Sequence, residues 1–278
     1  MKIGVVFPQG EISDDPVAVR DFAQAVEELG YDYLLLYELV IDTKSDKPPA
    51  SFLEPFTLLG YLVGCTQKIE LATGIMVLPS RQTVLVAKQA AAVDVLSRGR
   101  LRLGVSVGWN LVEYQAMGAD FQQRGKRLDE QITVLRELWT KPFVTFKGQY
   151  HNLENVGIYP QPIQRPIPIW IGGDSEPVLK RIASFGDGWL SYGETLETAA
   201  AKMDKLHRYL EAAGRKPIEV GMEVVGVNVA KPDNWSKMLE GWRDFGATHL
   251  SVVTTSASLG TPQEHIDAIY RFKTEAGL

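Results

Sequence analysis

The chain has 278 residues, 45% of them apolar and 23% charged, with a net charge of −5 at neutral pH. That balance describes a globular protein whose core is large enough to need neither disulfide nor metal. No basic block is long enough to follow a phosphate backbone, which disfavours nucleic acid as a partner, and the lone Cys65 cannot close an internal disulfide.

In chain order, short β-branched runs alternate with longer amphipathic segments. Ile3–Pro8 reads as strand one, and Val17–Gly30 as a helix with Val19, Phe22, Ala23, Val26 and Leu29 at helical spacing. Tyr33–Tyr37 is strand two, and the polar, proline-bearing run Leu39–Phe52 is a long loop. Pro55–Cys65 is helix two, Ile69–Leu78 strand three, Thr83–Leu96 helix three, Leu101–Val107 strand four and Arg124–Trp139 helix four. An irregular stretch, Pro142 to Pro168, follows as an insertion. Strand five is Ile167–Ile171, helix five Ser175–Phe185, strand six Gly188–Tyr192 and helix six Leu196–Ala213. Strand seven is Ile218–Val229, helix seven Trp235–Phe245, strand eight His249–Thr254 and helix eight Pro262–Ala276.

Strict alternation implies a parallel sheet. Eight units ending on a helix, with Phe7-Pro8-Gln9-Gly10 in place of a GxGxxG turn after strand one, favour an α/β fold of the (β/α)₈ TIM-barrel type over an open sheet. The expected organisation is one domain over 1–278, with 142–168 inserted between helix four and strand five. No apolar run approaches the ~18 residues of a membrane helix, and MKIGVVFPQG reads as a strand rather than a leader. A cytoplasmic location off the membrane is the expectation.

In such a barrel the site lies where strands end. The positions there are Gln9, Glu38, Met76 to Pro79, Ser106 to Asn110, Gly172 to Ser175, Ser191 to Gly193, Asn228 and Thr254-Thr255. Gly108 permits a close backbone approach, and Trp109 and Asn110 follow it over the mouth. Trp109 serves equally as a packing residue in a plain turn. Gly172-Gly173 precedes a helix and can present free N–H groups to an anion, although Asp174 or Ser175 serves equally as a simple helix cap. His151, His207, His249 and His265 have no partner at metal-ligand spacing, and neither a GxSxG elbow nor a Walker loop is present. A metal site is therefore not expected, and a cofactor or a modest acid/base site remains.

The run ATGIMVLPSRQTVLVAKQAAAVDVLSRGRLRLGVSVGW resembles the bacterial luciferase-like family. So do Gly118-Ala119-Asp120-Phe121, Pro160-Gln161-Pro162, the PIPIWIGG segment and Phe185-Gly186-Asp187-Gly188-Trp189. The likeness runs from Ile3 to about Gly193 and more loosely beyond. It implies an oxidoreductase or monooxygenase that uses FMN or the deazaflavin F420 on a small organic substrate, with a separate flavin or F420 reductase as a partner. FMN implies oxygen activation, whereas F420 implies hydride transfer. It also implies a non-prolyl cis peptide after strand three, placed at Met76-Val77, and cofactor contacts from Ser106, Gly108, Trp109, Asn110, Gly172, Gly173, Ser191, Tyr192 and Gly193. Relatives acting as F420 dehydrogenases carry Asp/Glu-His at the end of strand two and a glutamate at the strand-four position. Here those positions are Glu38-Leu39 and Trp109, which leaves Glu38 as the candidate acid/base and Trp109 in the catalytic position. The missing imidazole keeps a second reading open, a flavin-binding protein without turnover; a barrel that has lost its cofactor is a third. Lys44, Lys47 and Arg81 are candidate partners for an acidic F420 tail, against the plainer reading as solvated surface. Glu113 reads as a rim carboxylate. Helices two and three are apolar nearly all round, which predicts a homodimer through them.

Overall fold

The computed structural model describes residues 1–12, 14–42, 51–229, 234–255 and 259–278. Eight parallel strands close on themselves: β1 (Lys2–Val6), β2 (Tyr33–Leu36), β3 (Glu70–Thr73), β4 (Leu101–Ser106), β5 (Ile169–Gly172), β6 (Gly188–Tyr192), β7 (Gly221–Asn228) and β8 (His249–Val253). Closure is completed by Lys2 opposite His249 between β1 and β8, and by Leu71 opposite Leu101 between β3 and β4. Eight helices surround the strands: α1 (Pro16–Glu28), α2 (Pro55–Cys65), α3 (Thr83–Leu96), α4 (Arg124–Thr140), α5 (Glu176–Phe185), α6 (Leu196–Ala212), α7 (Trp235–Phe245) and α8 (Pro262–Ala276). The protein is a (β/α)₈ barrel, as the alternation predicts.

Local chemistry sets the helix limits. In α1, Asp15 accepts the Val17 amide at 2.8 Å and Pro16 occupies the first turn, where its missing N–H costs nothing. A reciprocal Thr261–Glu264 capping box opens α8, and Gly277 closes it in the left-handed region. Short helices at Gln9–Ile12 and Leu111–Ala116 lie outside the predicted set. The insertion after α4 holds an antiparallel pair, Val144–Lys147 with Asn152–Val156. His151 fastens it to α4 through Glu130, with Nδ1 to Oε1 at 2.8 Å.

Two layers of packing matter for the site. Between strands and helices lies the main apolar core. Inside the barrel, a separate cluster of Val6, Tyr33, Leu35, Ala72, Trp170, Leu190, Val225 and Val253 fills the axis. Crowding there is severe: a Cβ on Gly104 would stand 1.9 Å from the Thr73 carbonyl oxygen. Below this cluster, toward the N-terminal strand ends, sits a charged floor. Arg102 donates to Glu223 at 2.7 Å and to Glu70 at 2.5 Å. Its guanidinium carbon lies 4.7 Å from the Tyr33 ring centre and 4.4 Å from that of Trp170. His249 packs edge-on to Trp170 at 4.7 Å.

Candidate active site

At the C-terminal strand ends a cavity of about 800 Å³ opens. Tyr37, Glu38 and Leu39 line it from the end of β2, together with Phe52. Gly74 and Ile75 contribute from β3, Ser106 to Trp109 from β4, Gly172 to Ser175 with Val178 from β5 and α5, and Tyr192 from β6. The size falls in the range of small-molecule sites, about 300–1,000 Å³. A smaller cavity of 420 Å³ opens at the opposite end beneath the charged floor. Its wall is occupied by the ion-paired groups Lys2, Glu70 and Arg102, so we place the chemistry at the mouth.

The non-prolyl cis peptide is at Gly74–Ile75, two residues before the expected Met76-Val77. The reason is where β3 ends. Pairing stops at Thr73, and the chain resumes at Met76 and Val77 alongside Val105 and Ser106 of β4. Met76 is fully buried in the main core, and neither it nor Val77 lines the cavity; Ile75 does. Gly74 is pressed on Leu35, whose side chain lies 2.6 Å from where a Cβ would stand.

Glu38 is not a free carboxylate. Its Oε1 accepts from Arg81 Nε at 3.0 Å and from Arg81 Nη2, and its Oε2 accepts the Val77 amide. Arg81 turns its remaining side to Glu54 at 2.9 Å. Burial pushes the Glu38 carboxyl up from the usual range, while Arg81 and the Val77 amide pull the other way. Glu113, expected at the rim, is 6% exposed, and burial followed by the nearby Glu38 charge raises its carboxyl as well. Arg81 is thus committed to structure and does not reach outward for an acidic tail. Lys44 and Lys47 lie outside the described residues.

The remaining candidates divide. Ser106 lines the wall and donates to the Gly172 carbonyl at 3.0 Å. Gly108 has φ +65°, and a Cβ there would meet Val77 at 2.7 Å. Trp109 is 85% exposed at the mouth. Asn110 does not line the cavity; its Oδ1 caps the following short helix by accepting from Val112 at 3.0 Å and Glu113 at 3.4 Å. Gly172 packs on Ile75 with 2.6 Å to a hypothetical Cβ, and Gly173 takes φ +118°. Ser191 is fully buried beneath the wall, Tyr192 lines it, and Gly193 turns away at φ +65° without lining it. Tyr37, Phe52 and Ile75 were not among the predicted contacts. Tyr37 was readable, because Tyr33, Leu35 and Tyr37 alternate toward the axis.

Would these residues suit a flavin phosphate? The turn Gly172–Ser175 lines the cavity and leads into α5, whose first-turn amides have no helical acceptor. Ser175 stands at the cap position but makes no side-chain capping bond, so its hydroxyl is uncommitted. Amides, hydroxyl and helix dipole together suit a phosphate. The planar ring would find Ile75 and Tyr192 on the wall, and the carboxylates of the lining, Glu38 and Asp174, are paired with Arg81 and Lys202.

Residues 1–234 match the luciferase-like monooxygenase family. The chain belongs to that family. A pyrimidine monooxygenase RutA from Acinetobacter baylyi is 31% identical over 240 residues, covering 77% of this chain and 63% of its own length. An F420-dependent glucose-6-phosphate dehydrogenase from Amycolatopsis mediterranei is 30% identical, covering 85% and 72%. Among solved structures, an F420-dependent secondary alcohol dehydrogenase in complex with an F420-acetone adduct superposes with a TM-score of 0.82 at 17% identity, over 99% of this chain and 98% of that one. As a luciferase-like protein the chain has relatives on both sides of the oxygenase and dehydrogenase divide, and its relatives use flavin or F420.

Proposed function

We propose that this luciferase-like protein is an FMN-using monooxygenase acting on a small organic substrate at the C-terminal mouth. The observation that carries this reading is the state of Glu38. Both of its oxygens are taken by Arg81 and the Val77 amide, and no histidine lines the cavity among the described residues. Hydride exchange with an alcohol needs a group at the wall to take the hydroxyl proton; Glu38 is held, and burial raises the two wall phenols, Tyr37 and Tyr192, above their ordinary value, which makes them poor proton acceptors. Oxygenation asks less of the protein.

When bound, the reduced flavin supplies two electrons to O₂, with one oxygen atom entering the substrate and the other leaving as water. The chain's own part is positioning and exclusion of bulk water. Gly172 to Ser175 would hold the phosphate, Ile75 and Tyr192 would flank the ring, and Trp109 would shield the mouth. The Glu38–Arg81–Glu54 clamp fixes the 74–81 segment on which Ile75 sits. The electrons would come from a separate reductase.

Equilibrium binding of FMN and F420, each oxidised and reduced, tests the reading by fluorescence. Preferential binding of reduced FMN is expected, followed by O₂ consumption with a substrate. Tight F420 binding without FMN binding would replace it with deazaflavin hydride transfer, and flavin binding without turnover would leave a flavin carrier. We also propose a homodimer through α2 and α3. Tyr61, Val84, Leu85 and Leu96 are 41%, 42%, 57% and 66% exposed on their outer sides, more apolar surface than a helix normally leaves to water. Light scattering at micromolar concentration should report twice the chain mass; a monodisperse monomer sinks the proposal.

A further inference from the structure

Two phenols open into the cavity with no hydrogen-bond partner among the described residues. Tyr37, from the end of β2, and Tyr192, from the end of β6, both line the wall. Tyr37 Oη reaches across the axis to within 3.6 Å of where a Cβ on Gly226 of β7 would stand. Neither hydroxyl is hydrogen-bonded to another described residue. Burial raises both phenols above their ordinary value, so both remain neutral O–H groups across the physiological range.

Among the described residues, the cations around them are spoken for. Arg81 pairs with Glu38 and Glu54. Lys202, near the α5 turn, pairs with Asp174 at 2.7 Å and with Glu194. Each cation is matched by two carboxylates, and no lysine or arginine lines the cavity among the described residues. Among the described residues the feature of the wall that suits an anion is the start of α5, which the proposed cofactor phosphate would take. A carboxylate or phosphate on the substrate would be desolvated in a negative field without a counter-charge, which is strongly unfavourable. A cationic substrate would have to compete for carboxylates that already hold cations, since Glu38 pairs with Arg81 and Asp174 with Lys202.

Resting on the FMN reading above, we infer that the substrate is an uncharged, largely apolar carbonyl compound whose oxygen accepts from Tyr37 and Tyr192. A carbonyl oxygen carries two lone pairs and can take both donors. Leu39, Phe52, Ile75, Val107 and Trp109 supply the apolar surround.

The test uses the FMN-loaded protein and two probes of nearly equal shape, benzamide and benzoate. Benzamide should bind at least about tenfold more tightly than benzoate. Tyr37→Phe and Tyr192→Phe should each weaken benzamide by about three- to tenfold, the worth of one hydrogen bond, and Tyr37→Phe, which lies outside the ring contacts, should leave FMN affinity unchanged. Benzoate binding as tightly as benzamide overturns the inference, as does benzamide binding that neither variant alters. FMN affinity is read in the same experiment. Repeating the probe titrations without cofactor keeps the charge preference measurable if FMN fails to bind, so failure of the cofactor reading is distinguishable from failure of this one.

Discussion

Replacing Arg102 by methionine should cost about 3–5 kcal/mol of folding stability, the usual penalty for removing one partner of a buried ion pair. Arg102 is 4% exposed and Glu223 not exposed at all. Without the guanidinium, Glu223 is left in a closed barrel axis without its cation and Glu70 loses its inner partner. The methionine fills much of the space between Tyr33 and Trp170 but supplies neither hydrogen bonds nor cation–π contact. Urea denaturation monitored by circular dichroism reads the loss. Adding Glu223→Gln to Arg102→Met should recover part of it, because the stranded charge is then gone. A loss below about 1 kcal/mol in the single variant would mean that the floor is wetter than its exposure indicates.

Acid should weaken the same floor before it reaches most carboxylates. Burial, followed by the Arg102 charge, pushes the His249 imidazole down to about 3. In the unfolded chain the group takes a proton near 6.5. Between those values the unfolded state binds a proton that the folded state refuses, so stability falls as pH falls below about 6.5 and the loss levels off near 3. From about pH 7 to about pH 5 the expected decrease is roughly 2 kcal/mol, at 1.36 kcal/mol per pH unit below 6.5. Glu27 and Glu70, held below the ordinary carboxylate range against burial by the 67–69 loop amides and by Arg102 respectively, add a further loss at lower pH. Glu38 and Glu113, both raised, act in the opposite sense. Urea midpoints across this range check the slope, and His249→Phe should flatten its upper part. In Arg102→Met the slope should also be shallower, since one of the charges that opposes protonation is absent; an unchanged slope in both variants would assign the acid sensitivity elsewhere.

Much of the barrel was legible because its signals are local. Proline and aspartate at 15–16, the Thr261–Glu264 pair and the left-handed glycines are cap chemistry written in adjacent letters. The apolar run Ile69–Leu78 shows the limit of that method. It reads as one strand because nearly every residue in it is suited to burial, yet past Gly74 it leaves β2 and pairs with β4 alone in a shifted register, and periodicity does not register which neighbour a strand has. Asn110 is a different kind of miss: Asn110 followed by Glu113 is a helix-start pattern, and its priority over a role at the mouth could have been argued from spacing. The Glu38–Arg81 clamp joins residues 43 positions apart. No local pattern pairs two such side chains, so Glu38 looked available for proton transfer when it is held.

The apolar cluster of Val6, Leu35, Leu190, Val225 and Val253 stands between the cavity and the charged floor. It works as a spacer storey. It holds whatever the mouth binds out of contact with Arg102 and His249, the groups that keep the barrel shut, although Tyr37 and Tyr192 still feel the Glu223 charge through this low-polarity packing. Substrate preference in this chain can therefore drift, or be redesigned, by rewriting strand-end residues such as Tyr37, Trp109 and Tyr192 while the foundation is left alone.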